Sequence, residues 1–287
     1  MAHAWAQSQR SGWLCRLYGS PDASASGART LSPLTVQSRL LDIVEAALIG
    51  TSAPADAAVA TASLIMSQED VSTPWANLTG LWLNAAESLA DKQELRTLVE
   101  YVVAVAGLPD AVNEGPGVKV VDTGGGLISR IEPGQAVCDG KLRFWQDLPS
   151  YSWTLGDVFQ GPESWIFTAE PATPAVATAN WRNLNTYLAL VAAHPRAQTI
   201  PGLANHLSLC RVPLAQLEYS PDSRRGEYTA LHGPAIMQWL RIAGAEIEEM
   251  CRGEKERMQA GDLWDGGDVC GLERLAFWKR RVVELRF

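Results

Sequence analysis

Two segments of this chain, about a hundred positions apart, follow one pattern. The first reads Pro74-Trp75-Ala76-Asn77-Leu78 and continues with Leu81, Trp82, Ala85 and Ala86. The second reads Asn180-Trp181-Arg182-Asn183-Leu184 and continues with Tyr187, Leu188, Val191 and Ala192. On a helix that turns about 100° per residue, each set closes into one apolar stripe, with Trp75 and Trp181 at equivalent places. An indole recurring at the same point of two stripes calls for two helices, each buried along one face. A chain built this way is a bundle or array of helical pairs. The pattern constrains architecture and carries no chemistry.

With 287 residues, 47% of them hydrophobic, the chain can bury a large core. A net charge of −8 disfavours a polyanion as general partner, so neither nucleic acid nor an acidic membrane surface is expected. The basic cluster Lys279, Arg280, Arg281 and Arg286 is interleaved with Glu273 and Glu284 and reads as the solvated face of a terminal helix. Five cysteines without a CxxC pair give neither a disulfide framework nor a zinc site, and they suit a reducing compartment. No apolar run has the length of a bilayer span, and Met1 to Arg10 lacks the apolar core of a secretory signal. The expected location is cytoplasmic. Nothing in the sequence specifies an oligomeric state.

Residues 1–33 read as an N-terminal arm, poorly ordered through the Ser/Ala/Gly-rich stretch Gly19 to Pro33, or docking through Trp5, Trp13, Leu14, Leu17 and Tyr18. Residues 34–287 read as a single all-α domain of packed helical pairs, roughly eight to ten helices in all. Helical stripes follow Pro33, Pro54, the Thr73-Pro74 cap signal and Asp91. The character changes at 110–145, where Val118–Val121 and Leu127–Ile131 flank Gly124-Gly125-Gly126, so a loop or small β-ribbon is expected there. Further helices are expected from Asn180, from Pro234 to about Arg252 as the longest, and over Leu272–Leu285.

Several segments in this order resemble a known family: Phe144-Trp145-Gln146-Asp147-Leu148-Pro149, Trp181-Arg182-Asn183-Leu184-Asn185, Pro234-Ala235-Ile236-Met237-Gln238-Trp239-Leu240 with Ala243-Gly244, and Gly271-Leu272-Glu273-Arg274-Leu275-Ala276-Phe277-Trp278-Lys279. They are similar to filamentous-fungal proteins known as domain of unknown function 3632, from about residue 35 to the end of the chain. Leu275 stands where the family pattern has a tryptophan beside the arginine, and the glycine-rich stretch at 115–126 reads as an insertion. The resemblance implies a helical, fungal, intracellular protein, sometimes tied to specialised-metabolite pathways. It implies no reaction.

The chemistry-bearing residues are sparse. Asp122-Thr123-Gly124 is a single copy of the aspartic-protease tripeptide, whose chemistry needs two, so it reads as a polar turn. The run Gly124-Gly125-Gly126 is followed by Leu127-Ile128-Ser129-Arg130, not by the residues of a phosphate loop. No Gly-x-Ser-x-Gly elbow occurs. The histidines His3, His194, His206 and His232 show no i, i+4 metal spacing, so no metal and no cofactor is expected. His232 stands out because Tyr228 and the helix start at Pro234 lie beside it in sequence. On a continuous helix Glu246 falls about 20° beyond Trp239, where a carboxylate at the edge of an aromatic stripe can serve as acid or base.

Among eleven tryptophans, Trp75, Trp82, Trp181 and Trp278 read as core, and Trp153, Trp165 and Trp239 as walls of a pocket for an apolar small molecule. The site expected from sequence thus has Glu246, His232 and Tyr228 as catalytic groups and Trp239, Trp153 and Trp165 as binding groups. The expected function is a cofactor-independent enzyme of fungal specialised metabolism, of cyclase, isomerase or pericyclase type. A non-catalytic helical interaction protein and a small-molecule carrier are the alternatives. An enclosed cavity favours the enzyme or carrier, and an open groove favours the interaction protein.

Overall fold

The computed structural model of the chain describes residues 1–21, 29–122, 124, 128–168 and 171–287. The middle of the Gly19–Pro33 stretch, Thr123 and most of the triple-glycine run therefore lie outside the described residues. The described chain is mostly helical, with β-structure confined to small two-stranded antiparallel sheets. Contacts gather into two units, Met1–Val158 and Phe159–Phe287.

The first unit begins with helices α1 (Ala2–Ser11) and α2 (Trp13–Tyr18). Trp5, Ala6 and Leu14 are buried, and the Trp5 indole donates to Asn84 Oδ1 at 2.9 Å. Arg10 binds Asp42 at 2.7 Å and Glu45 at 2.5 Å. The opening residues are thus helical and held by named contacts. A two-residue pair, β1 (Ser20–Pro21) with β2 (Arg29–Thr30), follows.

Helices α3 (Val36–Leu48), α4 (Pro54–Met66), α5 (Ser72–Ser88) and α6 (Lys92–Ala106) form the body of this unit. Their starts have local causes. Thr35 accepts from the Ser38 amide at 3.2 Å, Pro54 occupies a first-turn position, and Asp91 accepts from the Gln93 and Glu94 amides at 2.7 and 3.0 Å. At α5 the N-cap is Val71, and Asp70 just ahead of it takes the Ser72 amide at 2.8 Å; the expected Thr73 donates its hydroxyl to Asp70.

The 110–145 region forms small ribbons. Strand β3 (Lys119–Val121) pairs with β4 (Ser129–Ile131) in the register Lys119–Ile131, Val120–Arg130, Val121–Ser129. Strand β5 (Cys138–Asp139) pairs with β6 (Leu142–Arg143). Lys119 ties the ribbon to the end of α4, its ammonium donating to the carbonyls of Met66 at 2.5 Å and Gln68 at 2.9 Å, where a cation suits the helix dipole. Helix α7 (Tyr151–Val158) closes the unit.

The second unit contains α8 (Glu163–Ile166), α9 (Pro174–Ala192), α10 (Arg211–Ala215), α11 (Thr229–Ile242), α12 (Gly244–Gly253) and α13 (Leu272–Leu285), with short 3-10 turns between them. The Thr173-Pro174 pair starts α9 six residues before the expected Asn180, with Thr173 accepting from the Val176 amide. The long helix expected from Pro234 to Arg252 is corrected in two respects. It starts at Thr229, with Pro234 inside it, and it ends at Ile242. Ala243 leaves helical geometry (φ −115°, ψ 25°) ahead of Gly244, a residue with little helix preference, and α12 restarts there. Pro234 costs α11 the bond to the Ala230 carbonyl, at an exposed position.

Candidate functional site: a Trp181–His232–Glu163 relay

Trp75 and Trp181 are both fully buried on their helices, α5 and α9. Their ring nitrogens meet different partners. Trp75 donates to the Pro149 carbonyl at 2.7 Å. Trp181 donates to His232 Nδ1 at 3.2 Å, because α11 packs along α9 and its early start places His232 in the opening turns.

An indole N–H can only donate. His232 Nδ1 must therefore present its lone pair, and the imidazole proton sits on Nε2. That proton is donated to Glu163 Oε1 at 3.0 Å. The three side chains form a directed relay, from a core indole through a buried imidazole to a carboxylate. The His232 side chain is 2% exposed and that of Glu163 is 23% exposed, so the relay opens to solvent at its carboxylate end. Burial works against charge on Glu163, but the hydrogen bond from His232 favours the ionised carboxyl and holds it below the ordinary range.

Local backbone fixes where Glu163 points. Gly161 has φ +93°, a conformation glycine adopts readily, and a Cβ there would stand 2.5 Å from Glu163 Oε2. Rings line the relay. Phe159 lies 4.7 Å and Trp165 6.2 Å from Trp181, and the His232 ring meets Trp181 edge-on at 5.6 Å. One turn beyond Glu163, Phe167 stands edge-on to Tyr228 at 6.0 Å. The Ala172 amide donates to the Trp165 carbonyl at 2.8 Å.

Both imidazole nitrogens are engaged, so His232 has no free lone pair with which to take a substrate proton. Glu163 has an open carboxylate and sits where an acid or base could work. It was not among the residues singled out from sequence. Its partner is 69 positions away, and the only local hint was an acidic residue after a proline at a helix start.

The expected site residues separate. His232, Trp165 and Tyr228 gather around the relay and the Phe167 ring. Trp239 is fully buried on α11 and donates to Asn185 Oδ1 at 2.7 Å, while Asn185 donates to the Trp181 carbonyl at 2.8 Å. Trp239 thus braces the α9–α11 core behind Trp181. Glu246 is half-buried on α12 and lines a groove of about 510 Å³ with Gln198, Leu207, Glu249, Met250 and Glu256. The 20° relation of Glu246 to Trp239 assumed one continuous helix, and the break at Ala243 removes its basis. Trp153 lies on α7 of the first unit and is 73% exposed.

A second polar constellation organises the same unit. Glu218 and Arg274 are fully buried. Arg274 Nε and the Trp278 indole each donate to Glu218 Oε1 at 2.6 Å, and Arg274 Nη2 and the Gly261 amide donate to Oε2 at 2.8 and 3.0 Å. The remaining Arg274 donors reach the carbonyls of Met258 at 2.9 Å and Gln259 at 3.1 Å. A buried pair satisfied this fully is structural: it fastens α13 and the 258–267 loop to residue 218. Arg274 and Trp278 are spaced i, i+4, which explains why both belong to one segment motif. Glu218 was legible as a carboxylate amid Leu214, Leu217 and Tyr219 but had no visible partner.

His206 is buried, its Nδ1 2.7 Å from the Leu203 carbonyl, and burial pushes its pKa down to about 4. Among the described residues, no group of three His, Cys, Asp or Glu side chains is arranged to hold a metal ion, and no helix is long and apolar enough to cross a membrane.

The chain belongs to a family described as "Protein of unknown function (DUF3632)", which matches residues 80–282. The match begins well inside the first unit and covers the relay and the Glu218–Arg274 pair, a narrower span than the one expected from about residue 35. No curated protein matches the chain, and no solved structure does.

Proposed function

We propose that this protein is a cofactor-independent enzyme of isomerase or cyclase type, with Glu163 as its acid–base group. The observation that carries the reading is the relay. A neutral imidazole, fixed in one tautomer by the Trp181 N–H, keeps a partly exposed carboxylate ionised beside aromatic rings. Such a carboxylate can take a proton from a bound molecule and return it at another atom, which is all that a double-bond shift or ring closure requires. His232 acts here as a positioning residue. The fungal, specialised-metabolism setting comes from the family resemblance, and a cytoplasmic one is supported by five free thiols.

Proton abstraction can be tested without knowing the substrate. Purified protein is incubated in D2O with a library of small carbonyl and amine compounds, and deuterium uptake is read by mass spectrometry. Protein-dependent uptake into at least one compound, lost in Glu163→Gln, is expected. Equal uptake with the variant, or none with the wild type, would overturn the reading; binding without uptake would favour the carrier.

A further inference from the structure

We infer that the ligand of the Glu163 site carries a protonated nitrogen on an apolar body. The inference rests on Glu163 as the working group of the site but not on turnover.

Charge is the first argument. Trp181 donates to His232 Nδ1, which leaves the imidazole one proton, on Nε2, and that N–H donates to the Glu163 carboxylate. The relay therefore carries one net negative charge. Among the described residues, Glu163 pairs with His232 and with no lysine or arginine. A half-desolvated carboxylate without a cation gains from a cationic ligand what other carboxylates here gain from arginine, as Glu218 does from Arg274 and Glu256 from Arg211.

The rings are the second argument. Phe167, one helical turn from Glu163, is 69% exposed and stands against Tyr228. Four other rings of this unit are covered by the chain's own cations: Arg225 lies 5.3 Å from the Tyr219 ring centre, Arg280 5.3 Å from that of Phe277, and Arg274 6.0 and 5.8 Å from those of Trp264 and Trp278. Among the described residues, no arginine or lysine covers Phe167 or Tyr228 in this way. A carboxylate one helical turn from an aromatic pair that no cation of the chain covers selects an ammonium or iminium group over a neutral one, and repels an anion.

Three probes of one size decide the matter: 2-phenylethylammonium, 2-phenylethanol and phenylacetate. Each is titrated into the whole protein by calorimetry and by tryptophan fluorescence. The ammonium should bind roughly tenfold or more tightly than the alcohol, with phenylacetate weakest. Glu163→Gln should abolish that preference, because its amide oxygen still accepts from His232 but bears no charge. Phe167→Ala, at an exposed position where folding is not at stake, should weaken the ammonium several-fold. Equal binding of all three probes, binding of none, or full preference retained in Glu163→Gln would overturn the inference. Ammonium preference without deuterium exchange would sink the enzyme reading and leave this one standing.

Discussion

The two Trp-x-Asn-Leu helices share one sequence pattern and end in different chemistry. In the first unit the Trp75 indole meets a backbone carbonyl, and its ring is packed by Trp82 at 5.7 Å, Phe144 at 5.2 Å and Trp145 at 5.9 Å. Nothing in that arrangement titrates. In the second unit the equivalent indole meets an imidazole, which passes the hydrogen bond on to a carboxylate. The same packing solution thus serves as inert core in one place and as support for a titratable group in the other. The difference is made by the acceptor, which lies far from the motif in sequence in both cases.

The largest effect that sharpens this contrast should come from the ion pair of the second unit. Arg274→Met leaves the Glu218 charge buried without its partner and should cost about 3–5 kcal/mol in chemical denaturation. Adding Glu218→Gln should recover part of that loss. A cost below about 1 kcal/mol for the single variant would mean the pair does not organise the unit.

The two units should next differ in their response to pH. Burial holds the Glu87 carboxyl on α5 up to about 7. A raised carboxyl favours the folded state while protonated, so the first unit should lose stability as pH rises from about 4.5 to 7, by up to about 3 kcal/mol. His206 is the opposite case, lowered from 6.5 to about 4. Its contribution is full above pH 6.5 and is lost as pH falls towards 4, again by up to about 3 kcal/mol. Amide hydrogen exchange followed separately in each unit should show the opposing slopes. Glu87→Gln should flatten the first and His206→Gln the second. Slopes of the same sign in both units would break the comparison.

Replacing each indole by a ring without an N–H tests the acceptors directly. Trp75→Phe leaves the Pro149 carbonyl without its donor and should cost about 1–3 kcal/mol at every pH. Trp181→Phe should cost less, because His232 Nδ1 is then free to take a proton, and nitrogen-15 shifts should show His232 losing its single tautomer. An unchanged tautomer in Trp181→Phe would show that the indole does not set it.

The smallest effect is expected at Gly161. Alanine there must adopt φ +93° and crowd Glu163 Oε2, for about 1–2 kcal/mol. The displaced carboxylate should lose its preference for the ammonium probe while the alcohol binds as before. An unaltered preference would show that Gly161 does not place Glu163.

Some features were legible because their causes are local. Helical stripes, the starts at Pro54 and Asp91, the ribbon around Val118–Ile131 and the burial of Trp75 and Trp181 all follow from periodicity, capping and the size of an indole. The break at Ala243 was missed because alanine continues a helical wheel on paper, and so Glu246 was set beside Trp239 when it lines a separate groove.

By itself the sequence determined that the chain folds as α-helices interrupted by a loop or small β-ribbon, and which faces those helices bury. Those properties depend on residues within one or two turns of each other. Only the tertiary structure decided that Trp181 donates to His232, that His232 in turn donates to Glu163, and that Glu218 neutralises Arg274. These pairs join residues 51, 69 and 56 positions apart. A buried donor must find an acceptor, but its own neighbourhood in sequence does not specify which one; that is settled when the helices pack.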